Sequence, residues 1–134
     1  MRKLTDHIVE GDSANHQLTI ETADGVASDN ANHRYKISGF DTESNSSEDS
    51  GYLGGSKSMI LLFQKGPIKE VGVNGVTHEA LLTVVIDRLR SYQASPFSCR
   101  ENAIALTHLE DALMWLQRRT RARIARGVEG THEK

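Results

Sequence analysis

The sequence predicts an α+β fold, with a small N-terminal antiparallel β-sheet followed by a C-terminal antiparallel helical hairpin. Apolar and polar residues alternate with a period of two in short segments of the first half. In the second half, apolar residues recur every three or four positions, as on one face of a helix. A short turn containing Pro96 separates two such helical segments. We therefore expect a β region over residues 1–75 and a hairpin domain with a short tail over residues 76–134.

Three segments of the first half have strand patterns. Residues 16–22 and 33–40 alternate apolar and polar side chains, and residues 58–64 contain a continuous apolar run. Val71 and Val73, which follow a Gly-Pro turn, suggest a short fourth strand. The second and third strands are separated by a long loop rich in Ser and Gly, whose acidic residues lie between Asp41 and Asp49. A loop of that length in a compact domain is expected to be mobile or functional.

The first helix is predicted from about residue 77 to residue 93. Its apolar residues cover more than half of the helix circumference, so we expect it to be buried on two sides, against the partner helix and against the sheet or another subunit; they are Leu81, Leu82, Val84, Val85, Ile86 and Leu89.

Ser98 and Glu101 have the spacing of a capping box, which predicts the start of the second helix. That helix is predicted to end at about Arg126, before Gly127. A seam with three-four spacing is expected to pack against the first helix; it comprises Leu106, Leu109, Leu113, Leu116, Thr120 and Ile124.

Several classes of protein do not fit the composition. The single cysteine, Cys99, rules out an intramolecular disulfide and a multi-thiolate zinc site, and the six histidines lack metal-ligand spacing. No segment has the length and hydropathy of a signal peptide or of a membrane span, which needs about 18 apolar residues. We also find no nucleophile paired with a base. The expectation is a non-catalytic protein of a reducing cytosol, without metal or cofactor.

Five arginines lie between Arg118 and Arg126. At about 100° per residue, Arg119, Arg123 and Arg126 share one helix face, and guanidinium groups match phosphate oxygens well. Two interpretations are open: an exposed phosphate-binding stripe, or cations that only stabilise the helix C-terminus. Gly127 and Gly130 either let the backbone fold over a ligand or belong to an ordinary disordered exit.

Tyr92 and Asn102 flank the predicted turn between the helices. Tyrosine can stack on a purine and asparagine can read a base edge, although both can equally serve only local packing and solvation. Asn102 and Arg119 are separated along one helix by about 25 Å. A small ligand that contacts both ends therefore needs two hairpins packed antiparallel, which predicts a homodimer with two symmetric pockets.

Two segments resemble a known family. FQKGPIKEVGVNGVTHEALL and DRLRSYQASPFSCRENAIALTHLEDALMWLQRRTRARIARGVEGTH are similar to the Thoeris anti-defence sponge family of bacteriophages. The resemblance extends from Phe63 to His132, and HRYKISGFDT resembles hypothetical phage proteins. The hairpin is shared with phage sponges that act against cyclic-oligonucleotide signalling.

The resemblance implies a function and a site. Family members bind cyclic ADP-ribose isomers, such as glycocyclic ADP-ribose, made by bacterial TIR-domain enzymes, and hold the signal in the host cytoplasm without cleaving it. The family's pocket aromatic matches Tyr92, where phenylalanine is typical, its asparagine matches Asn102, and its two helical arginines match Arg119 and Arg123. Some members form hexamers and bind cyclic trinucleotides at separate sites.

Other functions stay open at this point. Within binding proteins, the alternative is a sponge for cyclic di- or trinucleotides. From another class, the chain could be a structural phage component whose hairpin only oligomerises. Long nucleic acid would demand a broader basic surface than this chain of net charge −2 offers, and the acidic loop opposes it. An enzyme that degrades the signal lacks a visible acid–base pair.

Overall fold

The chain divides into two compact units, Met1–Phe63 and Gln64–Lys134. The computed structural model describes residues 1–48 and 54–134, so Asp49 of the predicted acidic loop lies outside the described residues. The first unit contains a four-stranded antiparallel sheet and the second contains the helices. The predicted α+β fold, with a sheet before a helical hairpin, is confirmed. Among the described residues, no helix combines the length and the hydropathy needed to cross a membrane.

The sheet has the order β1-β2-β3-β4, and every neighbouring pair is antiparallel. Its strands are β1 (Lys3–Leu4), β2 (Thr19–Thr22), β3 (Arg34–Ser38) and β4 (Ser58–Leu62). Because side chains alternate between the two faces of a strand, the register collects apolar residues on one face. Across that face, Ile37 pairs with Ile20 and Met59, and Tyr35 pairs with Leu61.

The fourth strand was predicted in the wrong place. It is β1, at the N-terminus, because Thr22 pairs with Arg2 through a backbone hydrogen bond of 2.8 Å and its hydroxyl accepts a second bond of 2.8 Å from the Arg2 N–H. Val71 instead belongs to a short helix, α1 (Ile68–Val71), and Val73 lies in no strand. Pro67 favours that helix, since its φ of −68° suits the start of a helical turn.

The two long helices are α2 (His78–Gln93) and α3 (Arg100–Ala125). The Thr77 hydroxyl caps α2 by accepting a 3.1 Å hydrogen bond from the Ala80 N–H. The helices pack together as a hairpin, with Ile86 of α2 only 2% exposed. Arg90 Nη2 and Glu110 Oε2, 2.6 Å apart, link the helices at their surface. The predicted seam of α3 is half-buried at Leu106, Leu109, Leu113, Leu116 and Thr120.

The seam differs from the prediction at its last member. Ile124 is 60% exposed, and Arg123, three residues after Thr120 rather than four, is buried. On α2, Val84 and Val85 are exposed in the single chain, so only one side of this apolar helix is covered. The hairpin therefore leaves apolar surface open on α2 and on α3.

The start of α3 is not the predicted capping box. Cys99, rather than Ser98, is the N-cap, and its Sγ accepts a hydrogen bond of 3.4 Å from the Asn102 N–H. The reason lies across the turn, where the Gln93 side chain binds both backbone groups of Cys99. Gln93 Oε1 accepts from the Cys99 N–H and Gln93 Nε2 donates to the Cys99 carbonyl, both at 3.1 Å. These two hydrogen bonds fix Cys99 as the residue at which the second helix begins.

Candidate ligand-binding site

The C-terminal end of α3 turns the chain back on itself. Gly127 has a φ of +72°, which favours glycine, and its N–H donates to the Ile124 carbonyl at 3.0 Å. The Val128 N–H donates to the Arg123 carbonyl at 3.0 Å, which completes a Schellman motif. The predicted helix end before Gly127 is confirmed. The residues that follow, 128–134, are called the C-terminal tail below.

Arg123 is buried beneath the C-terminal tail, with an exposed fraction of 7%. Its Nε donates to Glu129 Oε2 at 3.0 Å, and its Nη2 donates to the carbonyls of Val128 at 3.0 Å and Thr131 at 3.2 Å. Its Nη1 donates to the Glu133 carbonyl. The expectation that all arginines of the stripe are exposed is wrong at this position, because carbonyls and a carboxylate of the tail satisfy the guanidinium.

The C-terminal tail is also held against α1. The Gly130 carbonyl accepts a hydrogen bond of 3.1 Å from the Lys69 N–H, and His132 Nε2 lies 3.4 Å from Glu70 Oε2. Gly130 has a φ of +80°, and a Cβ there would lie 3.2 Å from Lys69 Cγ. Gly127 and Gly130 thus direct the backbone over Arg123 and against α1.

Arg119 and Arg126 differ from Arg123 because both are exposed. In the part of the chain that the structure describes, no carboxylate lies within ion-pair distance of either. Arg118 points its guanidinium over the Trp115 ring, 5.1 Å from the ring centroid. Of the predicted stripe, Arg119 and Arg126 are therefore available to a bound anion, whereas Arg123 already has partners.

Tyr92 lies at the other end of the hairpin, in a groove of about 580 Å³. The groove follows α2 into the turn and is lined by residues that include Val84, Arg88, Ser91 and Phe97. Arg88 Nη2 donates to the Tyr92 hydroxyl at 3.0 Å, and the guanidinium carbon lies 5.1 Å from the ring centroid. A groove of this volume, with two aromatic rings and few charges, suits a small organic ligand.

A single chain does not bring the predicted site residues together. Asn102 is half-buried in the first turn of α3, and Arg119 follows it on the same unbroken helix at a distance of about 25 Å. Tyr92 and Asn102 flank the turn, whereas Arg119 and Arg126 lie at the opposite end of the helix. One chain thus carries an aromatic end and a cationic end.

Sequence reasoning missed three residues that shape these ends. Arg88 precedes Tyr92 by four positions, the spacing at which helix side chains meet. The contact between them could therefore have been predicted from the sequence. Gln93 and Glu129 act through contacts across a turn and within the tail, for which the sequence carries no periodic signal.

Comparison with known proteins places the hairpin in a class. Residues 60–121, which include α2 and most of α3, match the family described as "Acb2/Tad1, hairpin domain". The resemblance of this region, predicted from its sequence, is confirmed.

A particular relative is also similar. The chain is 61% identical over 72 residues to the protein "Thoeris anti-defense 1" of Bacillus phage SBSphiJ7. The matched region covers 54% of this chain and 51% of the relative, so the chain spans about half the length of the curated protein it matches.

Proposed function

We propose that this protein is a phage anti-defence sponge, which binds and sequesters cyclic ADP-ribose-type signals made by bacterial TIR-domain enzymes without cleaving them. The observation that carries the proposal is the division of each hairpin into an aromatic end at Tyr92 and an unpaired cationic end at Arg119. A cyclic ADP-ribose isomer has a purine and a diphosphate, which these two ends match chemically. The relative named for Thoeris anti-defence supports the same function.

The site takes residues from two chains. Tyr92 stacks on the base and Asn102 orients it, while Arg119 of the other chain binds the diphosphate, with Arg126 beside it. This arrangement requires a homodimer, or a higher assembly such as a hexamer, in the cytoplasm of the infected host. Exposed apolar residues on both helices, among them Val85 at 46% and Trp115 at 57%, provide surface for that assembly.

Arg123 enters the site by exchange. Its Nε binds the Glu129 carboxylate, and a ligand phosphate offers anionic oxygens that fit the same guanidinium and can replace that carboxylate. Gly127 and Gly130 keep the C-terminal tail close to that phosphate. Glu129→Gln removes the competing charge, so we expect it to raise ligand affinity a few-fold. Glu133→Gln, which leaves the backbone carbonyl on Arg123 intact, is the matched control and should leave affinity unchanged.

The first experiment separates capture from cleavage. The protein is incubated with glycocyclic ADP-ribose, retained on a filter, and heated, and the released molecule is quantified by mass. Recovery of intact ligand supports a sponge, loss of ligand indicates an enzyme, and no depletion contradicts both. Arg119→Ala should abolish capture, whereas Arg121→Ala, an exposed arginine two residues away, should not. A cyclic trinucleotide tested in parallel identifies the alternative cyclic-oligonucleotide sponge.

The second experiment tests the two-chain site. Asn102→Ala and Arg119→Ala proteins, each inactive alone, are mixed under conditions that exchange subunits. In a heterodimer one pocket receives both defects and the other receives neither, so about a quarter of all pockets should recover after random exchange. A mixture that stays inactive after verified exchange would mean that each pocket is built from one chain.

A further inference from the structure

The groove beside Tyr92 contains a cation that the predicted site leaves out. Arg88 and Tyr92 both line the groove, together with the exposed apolar side chains of Val84 and Phe97. Arg88 places its guanidinium against the tyrosine ring, with a hydrogen bond of 3.0 Å to the hydroxyl and a distance of 5.1 Å to the ring centroid. The groove therefore combines a guanidinium and a carboxylate, from Arg88 and Asp87, with two aromatic rings, from Tyr92 and Phe97, and an apolar wall at Val84.

Arg88 has no anionic partner among the residues that the structure describes. Asp87 lines the same groove, yet no ion pair forms between its carboxylate and Arg88. Arg90, two residues further along, is already paired with Glu110 at 2.6 Å. A guanidinium has five N–H groups, and the bond to Tyr92 uses one of them. The remaining donors of Arg88 are available to a molecule in the groove.

We propose that Arg88 is a further ligand-binding residue, which binds an anionic phosphate oxygen of a nucleotide whose base stacks on Tyr92. The inference rests on the proposed function and adds a second source of positive charge, on α2, to that of α3. Because Arg88 covers one face of the ring, the base takes the other face. Because the Tyr92 oxygen accepts from Arg88, the hydroxyl proton is left to donate to the ligand.

The unpaired charge favours an anion over an apolar protein surface as the occupant. An apolar surface pressed onto the groove would remove water from Arg88 without compensating its charge, which is costly. A phosphate group compensates the charge, and two of its oxygens accept hydrogen bonds from the free N–H groups in a forked geometry. Within the two-chain site, the group that contacts Arg88 is accordingly a phosphate of the nucleotide, rather than an apolar side chain of the second chain.

The test compares a charged and an uncharged probe on the full chain. Dissociation constants for glycocyclic ADP-ribose and for adenosine are measured with the wild-type protein, Arg88→Gln, Arg88→Lys and the control Arg90→Gln. We expect Arg88→Gln to weaken binding of the diphosphate probe by about 10- to 100-fold and to leave adenosine binding unchanged. Arg88→Lys, which keeps the charge but loses the fork, should recover part of the loss. Arg90→Gln should bind both probes as the wild-type protein does.

The outcomes separate this inference from the proposed function. A wild-type protein that does not bind glycocyclic ADP-ribose contradicts the proposed function and, with it, the role of Arg88. Wild-type binding that Arg88→Gln leaves intact overturns only the role of Arg88. An equal loss for both probes, together with a smaller assembly by light scattering, also overturns it, because Arg88 would then hold subunits together instead of binding phosphate.

Discussion

Replacement of Arg123 by alanine tests whether this buried arginine holds the C-terminal tail. The side chain donates four hydrogen bonds to the tail, one of them to the Glu129 carboxylate. Hydrogen bonds that involve a charged group contribute about 1.5–3 kcal/mol each when the partner stays buried. Here the freed partners return to water as the tail detaches, since Glu129 is already 38% exposed at its side chain. The decrease in the free energy of unfolding therefore cannot exceed the free energy with which the tail docks. We expect a decrease of about 2–3 kcal/mol for Arg123→Ala.

The assay is denaturant unfolding of the full chain, followed by circular dichroism at fixed protein concentration. Arg119→Ala is the matched control, because Arg119 is an exposed arginine one helical turn earlier on the same face. We expect that variant to lie within about 0.5 kcal/mol of the wild-type protein. Amide hydrogen exchange should locate the effect of Arg123→Ala in the tail, where the Lys69 N–H bonded to the Gly130 carbonyl loses protection.

One result would refute this reasoning. If Arg123→Ala and Arg119→Ala unfold at the same midpoint, and the Lys69 amide exchanges equally slowly in both, Arg123 does not anchor the tail. Its role would then be confined to the ligand.

Three further predictions concern single contacts. Cys99→Ser should raise the free energy of unfolding by about 0.5–1 kcal/mol and Cys99→Ala should lower it by a few tenths, because a hydroxyl is a better N-cap acceptor than a thiol; thermal melts of both variants check this. Gly39→Ala should destabilise the sheet by at least about 3 kcal/mol, since φ is +95° and the new Cβ would lie 2.0 Å from the Gln17 carbonyl oxygen, whereas Gly25→Ala, with no neighbour within 4 Å, should be nearly neutral. The turn before β3 should loosen in acid. The pKa of Asp29 is lowered chiefly by the hydrogen bond from the Ala31 N–H. At Asp24, desolvation raises the pKa, but hydrogen bonds outweigh it, the largest of them from the His33 N–H. The pKa of Asp24 is therefore lowered as well. Because both carboxyl groups have a lower pKa in the folded state, their stabilisation is present above the unfolded pKa of about 4 and is lost as pH falls through the folded pKa. The protection factors of the Ala31 and His33 amides, which correct for the intrinsic pH dependence of exchange, should therefore stay constant down to pH 5 and fall below about pH 4; a fall already between pH 6 and 5 would contradict the assignment.

The elements governed by periodicity were predictable from the sequence. The α3 seam from Leu106 to Thr120 and the end of the helix at Gly127 follow from three-four spacing and from the preference of glycine for positive φ. The short strand β1 was not predictable, because two residues carry no period and the strand forms through its pairing with Ile20 and Glu21 of β2.

For the candidate site, the sequence predicts which residues share a helix face, but not which other residues contact them. The i, i+4 spacing put Arg119 and Arg123 on one face, and the structure places both there. Spacing does not reveal that the tail folds over one of them, since that depends on the carbonyls of Val128 and Thr131. Spacing also does not distinguish Ser98 from Cys99 as the N-cap. The N-cap is Cys99 because Gln93, across the turn, binds its backbone.

The sparse interior has a thermodynamic consequence. Ile86 is the one apolar residue that the structure fully buries among those it describes, while Val84, Met114, Trp115 and Ile124 stay exposed. For a chain that assembles as proposed, much of its folding free energy comes from contacts between subunits and obeys mass action. Each tenfold dilution then removes about 1.4 kcal/mol from the free energy that holds one dimer together. The melting temperature becomes a function of protein concentration, and so does the number of intact two-chain pockets.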